Sequence, residues 1–347
     1  MVRRDKGDSL LVRVPNWIGD AVLCLPALDA VRKGLGGAAI TVLAKPWVAP
    51  LFYHNPSVTA VIEYDTRGKH RGIAGKWRLI GKLKAHDFGR ALLLQNAFEA
   101  ALIAFLAGIP ERYGYTTDGR GPLLTRGVKP AGKKAPFHHV DYYLGLVEKL
   151  GLGSRGERLP RLYLEESERE WAGCFLRKGG INGAVPLIGL APGAAYGPAK
   201  QWPAGRFAQV ATMFSRKHSF YPLLFGSRGD REACRHVDDG IGGNCLDLSG
   251  KTSLREAMAL ISLCTVFVAN DSGLMHIAAA LGVPTVALFG STDPERTGPL
   301  GKRCKALYKS VDCNPCFKRE CPTDFRCMEA LSADDVVEAA MRLIGPS

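Results

Sequence analysis

Short apolar runs recur along the chain at residues 10–14, 39–43, 60–62, 91–94, 187–191, 222–225, 266–269 and 285–289. Runs this short and predominantly apolar read as strands buried on both faces. Between them lie stretches with helical spacing at 21–35, 97–107, 165–178 and 334–344, the last preceded by Ser332 in an N-cap position. Strands alternating with helices predict parallel sheets covered by helices on both sides, an α/β class. The alternation breaks at 151–160, which is rich in glycine and charge, and restarts at 187. Two domains are expected, 1–180 and 181–347, with the last helix packing back on the first domain; each is long enough for its own core.

Composition narrows the class. With 46% hydrophobic and 23% charged residues the chain is neither disordered nor membrane-embedded. No run approaches the roughly 18 apolar residues that cross a bilayer. Residues 1–9 are charged and lead into no signal-peptide core, so a cytoplasmic protein is expected. A net charge of +13 favours anionic partners: nucleic acid, phosphosugars or an acidic membrane surface. No nucleic-acid-binding module is recognisable, so nucleic acid is not expected as a partner. Ten cysteines without a secretion signal suggest reduced thiols or a metal site rather than a disulfide scaffold. Cys313, Cys316, Cys321 and Cys327 form C-x2-C-x4-C-x5-C. Four thiolates can enclose zinc, but this spacing fits no standard zinc module, so neither a metal nor a cofactor is assigned.

In open α/β sheets ligands sit outside the carboxyl ends of the strands, which directs attention to three loops. The first is Asn16-Trp17-Ile18-Gly19-Asp20, in which Gly19 is free to take a backbone conformation barred to other residues and Asp20 is either a general base or the N-cap of the next helix. The second, Gly193-Ala194-Ala195-Tyr196-Gly197-Pro198-Ala199-Lys200, offers small residues for close backbone approach and, in Lys200, a mobile positive charge for a pyrophosphate. The third, Asn270-Asp271-Ser272-Gly273-Leu274-Met275-His276, opens a helix whose free amides at Ser272 and Gly273 suit a diphosphate. Asp271 is placed to orient sugar hydroxyls or to cap that helix. His276, a turn inside it, is a ligand-contact candidate or a packed histidine. Asp230, after another strand, is a candidate for ribose hydroxyls. Between Asp65 and Asp87 stand Arg67, Lys69, Arg71, Lys76, Arg78, Lys82 and Lys84 with no acidic residue among them, which is either a solvated face or an anion-binding surface.

Asp20, the 193–200 loop and the 271–273 turn together closely resemble glycosyltransferase family 9, the ADP-heptose:lipopolysaccharide heptosyltransferases, over nearly the whole chain. The first two loops and the stretch Pro315-Cys316-Phe317-Lys318-Arg319-Glu320-Cys321-Pro322 are closer to the type II branch than to type I. The resemblance implies a GT-B fold, two Rossmann-like domains facing across a cleft, with the nucleotide-sugar on the second. It implies Asp20 and Lys200 as catalytic, and Gly19, Gly193, Ala194, Ala195, Tyr196, Gly197, Asp230, Asp271, Ser272, Gly273, Leu274 and His276 as substrate-binding. Arg67, Lys69, Arg71, Lys76 and Arg78 become acceptor-binding. The implied reaction is inverting transfer of heptose from ADP-heptose to the first heptose of an anionic inner-core glycolipid at the inner-membrane surface, without a metal. Other heptosyltransferase types, a nucleotide-sugar epimerase and a basic nucleic-acid-binding protein are the alternatives.

Overall fold

The computed structural model describes residues 9–130, 137–183 and 185–345; the charged segment 1–8, read above for a targeting signal, lies outside the described residues. The chain divides into two compact units, Met1–Tyr163 and Leu164–Ser347. The first unit contains β1 (Ser9–Arg13), α1 (Ile18–Leu23), α2 (Leu25–Gly34), β2 (Ala39–Ala44), β3 (Ala60–Glu63), α3 (Gly72–Ala85), β4 (Arg90–Leu93), α4 (Phe98–Leu106), β5 (Glu111–Tyr115), β6 (Arg126–Val128) and α5 (His139–Lys149). Its six strands are all parallel, in the order β3-β2-β1-β4-β5-β6. The strands at the centre are almost wholly buried because helices cover both faces: α2 packs against α5, and α3 against α4.

The second unit contains α6 (Glu166–Lys178), β7 (Leu187–Ala191), α7 (Ala204–His218), β8 (Tyr221–Leu224), α8 (Arg231–Gly240), β9 (Leu246–Asp247), α9 (Leu254–Ser262), β10 (Val266–Asn270), α10 (Gly273–Ala280), β11 (Thr285–Phe289), α11 (Pro294–Thr297), β12 (Cys304–Tyr308), α12 (Arg326–Glu329) and α13 (Ala333–Ile344). Its strands are again parallel, in the order β12-β11-β10-β7-β8-β9. Counted within each unit, both sheets have the Rossmann order 3-2-1-4-5-6. Connections leave the central pair in opposite directions, opening a crevice between β1 and β4 in one sheet and between β7 and β10 in the other.

Two expectations change. The helix expected over 21–35 is two helices, since Pro26 at the second position of α2 cannot continue α1: it lacks an N–H, and its ring would strike the carbonyl of Val22. The division falls at Tyr163, ahead of residue 180, because α6 packs on α9 and Glu168 pairs there with Arg255. Within the second unit the last helix buries Val336, Val337 and Ala340 in the core beside Phe207 and Phe214 of α7. Ser332 caps it as expected, exchanging 3.1 Å bonds with Asp335.

Candidate functional site

The 16–20 loop leaves the carboxyl end of β1 at the first crevice. It is held from two sides. The Arg13 guanidinium donates to Asn16 Oδ1 at 2.6 Å, and Trp47 Nε1 donates to the Asn16 carbonyl at 2.8 Å. Trp17 occupies the N-cap of α1, so Asp20 is the third helical residue and not the cap. Gly19 is helical as well, without the left-handed backbone expected of it, because α1 starts at Ile18, one residue before it. At the positive end of a short helix a carboxylate is favoured electrostatically. Asp20 Oδ1 lies 3.3 Å from Nδ1 of His139, the first residue of α5. Asp20 Oδ2 has no partner among the described residues. A base needs this arrangement: one oxygen oriented, the other open to a hydroxyl.

The basic stretch is divided by its contacts. Asp65 accepts from the backbone amides of Gly68, Arg67 and Lys69, which holds its carboxyl below the usual range and shapes the turn that presents Arg67 and Lys69. Arg67 lies over the Trp47 ring at 5.3 Å, and Arg78 donates to the Lys69 carbonyl at 2.8 Å. Arg71 stands at the N-cap position of α3 without capping it, while Lys76 pairs with Glu99 of α4 at 2.7 Å.

In the second unit the loops after β7 and β10 meet at the other crevice. Asn270, the buried last residue of β10, joins them: its Nδ2 donates to the Pro192 carbonyl at 2.7 Å and its Oδ1 accepts from the Trp202 amide at 3.0 Å. Lys200 closes a 3-10 turn, Pro198–Lys200, and its Nζ lies 2.5 Å from Asp271 Oδ2, which also accepts from Thr292 at 2.7 Å. The mobile charge expected of Lys200 is therefore a held one, paired with a carboxylate that sequence spacing did not associate with it. Asp271 caps nothing. Ser272 stands at the N-cap of α10 without side-chain capping, so the first amides of that helix are left uncapped. Ser272 Oγ and Ser291 Oγ are both buried and without hydrogen-bond partners among the described residues. Uncapped amides and unpartnered hydroxyls beside a lysine make a polar cradle of a kind suited to an anion. Gly273 and Leu274 form the first turn of α10, and His276 is buried within it.

Asp230 accepts from the amide and hydroxyl of Ser227 at 2.8 and 2.7 Å, and its other oxygen lies over Gly193, where a Cβ would come within 2.1 Å. The 193–200 loop is braced by the 315–322 stretch. Tyr196 donates its hydroxyl to the Phe317 carbonyl at 2.9 Å, Arg319 Nε donates to the Tyr196 carbonyl at 2.7 Å, and Ala199 N–H donates to the Arg319 carbonyl at 3.0 Å. Ala194 is buried and Ala195 exposed on the same loop. The four neighbouring cysteines do not gather: among the described residues no group of three or more His, Cys, Asp or Glu side chains is arranged to hold a cation. His139 escapes sequence reasoning because only the fold brings it to the 16–20 loop, and the bracing roles of Asn270 and Arg319 escape it because their partners lie far along the chain.

Family comparison decides the class. A model of glycosyltransferase family 9 (heptosyltransferase) matches residues 76–325. The chain belongs to that family. This family 9 glycosyltransferase is 32% identical over 309 residues to lipopolysaccharide heptosyltransferase 2 of Escherichia coli, covering 86% of this chain and 87% of that protein. Its structure is similar to that of E. coli ADP-heptose lps heptosyltransferase II, with a TM-score of 0.79 at 28% identity over 97% of this chain and 98% of the other. A family 9 glycosyl transferase from Veillonella parvula gives a TM-score of 0.86 at 26% identity over 97% of each chain. The two parallel six-stranded sheets with their helices are those of the GT-B heptosyltransferases.

Proposed function

We propose that this glycosyltransferase moves heptose from ADP-heptose to the first heptose of the lipopolysaccharide inner core, as borne by heptosyl-Kdo2-lipid A, with inversion. The observation that carries the reading is Asp20: a carboxylate at the crevice of the first sheet with one oxygen turned to His139 and the other open. In this scheme Asp20 takes the proton of the acceptor hydroxyl, whose oxygen bonds to the anomeric carbon. The bond from that carbon to the diphosphate breaks, and its electron pair leaves with ADP. The second unit, 164–347, binds the nucleotide-sugar. There Lys200, the uncapped amides of α10 and the Ser272 hydroxyl receive the charge that develops on the leaving diphosphate. Gly193, Ala194, Ala195, Tyr196 and Gly197 line its approach, Leu274 and His276 support it from α10, and Asp230 lies against the same loop.

The first unit binds the acceptor, whose anions meet Arg67, Lys69, Arg71, Lys76 and Arg78. The setting is the cytoplasmic face of the inner membrane. No helix among the described residues is long and apolar enough to cross a bilayer, and contact is peripheral. On α3, Ile73 and Trp77, one turn apart, are 78% and 54% exposed among these cations, a combination suited to an anionic lipid interface. Mass spectrometry of products from ADP-heptose with heptosyl-Kdo2-lipid A, and separately with Kdo2-lipid A, tests the reading. Addition of one heptose to the former alone is expected; addition to the latter alone would reassign the acceptor.

A further inference from the structure

Three neighbouring strands of the first sheet end in a feature that the roles above do not use. Arg13 is the last residue of β1, Lys45 follows β2 and Tyr64 follows β3. Both cations are buried, with 2% and 6% of their surface exposed. Arg13 spends its guanidinium on the carbonyls of Val14 and Leu43 and on Asn16 Oδ1. Lys45 Nζ donates to Thr66 Oγ1 at 3.0 Å and lies 3.7 Å from the centre of the Tyr64 ring. Among the described residues neither has a carboxylate within ion-pair distance. Glu99 is engaged by Lys76, and Asp65 folds onto backbone amides. An ammonium carries three donors, and a hydroxyl satisfies one of these. Burying charge without an opposite charge is costly, yet here two such cations stand at adjacent strand ends, where sheets of this class bind ligands.

We infer that Lys45 contacts an anionic group of the acceptor, a carboxylate or a phosphate, received beside Thr66 at the carboxyl end of β2, with Arg13 holding the potential positive from below. This rests on the acceptor-binding role proposed for the first unit. Thr66 is only partly buried and marks the open side. Burial, with Arg13 and Lys76, pulls the Lys45 ammonium down to about 8 against Glu99 and Asp65. Burial takes Arg13 down only to about 10 and drives Tyr64 upward. Lys76 and Tyr64 hold Glu99 low against the upward pull of burial, and the Gly68 amide does the same for Asp65. Among Arg13, Tyr64, Asp65 and Glu99, none has a shift that brings its titration to the pH at which Lys45 loses its proton. A bound anion favours the charged lysine and moves its titration upward.

The test has two parts. In the full chain with 13C-labelled lysine side chains, the Lys45 signal is assigned by its absence from Lys45→Arg and titrated alone, with inorganic phosphate and with glucuronate. An upward move with either anion is expected, and the stronger one names the group. In turnover, Lys45→Met should raise the acceptor KM about 10- to 100-fold, the loss of a charge-assisted bond, while ADP-heptose KM and kcat hold. Wild-type acceptor KM should climb as pH passes about 8, and Lys45→Arg should remove that climb. Comparing dephosphorylated with carboxyl-amidated acceptor shows which group Lys45 reads, since only removal of the true partner abolishes the difference between wild type and Lys45→Met. A Lys45 signal indifferent to both anions, or a folded Lys45→Met with normal acceptor KM, overturns the assignment. Anions that shift Lys45 in a chain unable to transfer heptose would instead sink the transfer reading and leave the site standing.

Discussion

Replacing Lys200 by Met strips the partner from a carboxylate whose side chain is only 6% exposed, leaving Asp271 with the Thr292 hydroxyl at 2.7 Å. Breaking a buried ion pair from one side costs about 3–5 kcal/mol. The surviving Thr292 bond and the 14% exposure of Lys200 put this case at the low end, about 3 kcal/mol. At about 2–4 °C per kcal/mol for a unit of this size, the melting transition of the second unit should fall by about 6–12 °C. Adding Asp271→Asn removes the stranded charge and should return most of that loss, because an amide costs less to bury than an unpaired carboxylate. ADP should follow the same order. The single variant leaves a bare carboxylate beside the diphosphate and binds worse than the double. Scanning calorimetry of wild type, both single variants and the double yields the coupling energy, and calorimetric titration with ADP and with adenosine supplies the binding comparison. A double variant as unstable as Lys200→Met, or an adenosine loss equal to that for ADP, would refute the reasoning, since both would mean that the loop had collapsed without regard to charge.

Asp20→Asn should lower turnover about 10²- to 10⁴-fold while leaving melting and ADP affinity unchanged; near-normal single-turnover rates would remove the base from the scheme. His139→Gln should reduce kcat by about tenfold with ADP-heptose KM unaltered, because it loosens one carboxylate oxygen without removing the base; an effect confined to KM would speak against an orienting role. Gly197→Ala places a methyl 2.4 Å from the Arg319 carbonyl and should destabilise the second unit by about 1–3 kcal/mol and weaken ADP, read by calorimetry. Lys45→Met should raise stability at neutral pH. The folded chain holds this ammonium at about 8 against the ordinary lysine value of 10.5, so the wild type gains stability as pH rises from the first value to the second, and the advantage of the variant disappears over the same range in thermal melts.

Strands buried on both faces were legible because burial leaves them few polar positions: Leu187–Ala191 and Thr285–Phe289 coincide with their apolar runs. Four strands were not. β5 reads Glu-Arg-Tyr-Gly-Tyr, β6 is three residues long, β9 two, and β12 is only partly buried, so their patterns resemble loops. The site divides the same way. Loops that follow predicted strands were found, since strand ends are where such sheets bind. Contacts that depend on closure of the sheet were invisible: His139 reaches Asp20 across 119 positions and Lys200 reaches Asp271 across 71. A lysine after a glycine-rich turn looked free because nothing adjacent in sequence carries its counter-charge.

Gly193, Gly226 and Asp230 share one small volume. A methyl on Gly193 would meet the Asp230 carboxylate, and one on Gly226 would come within 2.8 Å of the Asp230 Cβ. Heredity must therefore treat the three positions as one character. Only glycine at residue 230 opens room at 193 and 226 together, because the Asp230 Cβ alone would lie 2.7 Å from the first methyl and 2.8 Å from the second, whereas a lineage that keeps the aspartate forbids both. In a library randomised at all three codons, surviving clones should show glycines at 193 and 226 wherever 230 is Asp. Side chains at those two positions should be recovered only in clones where 230 has become glycine.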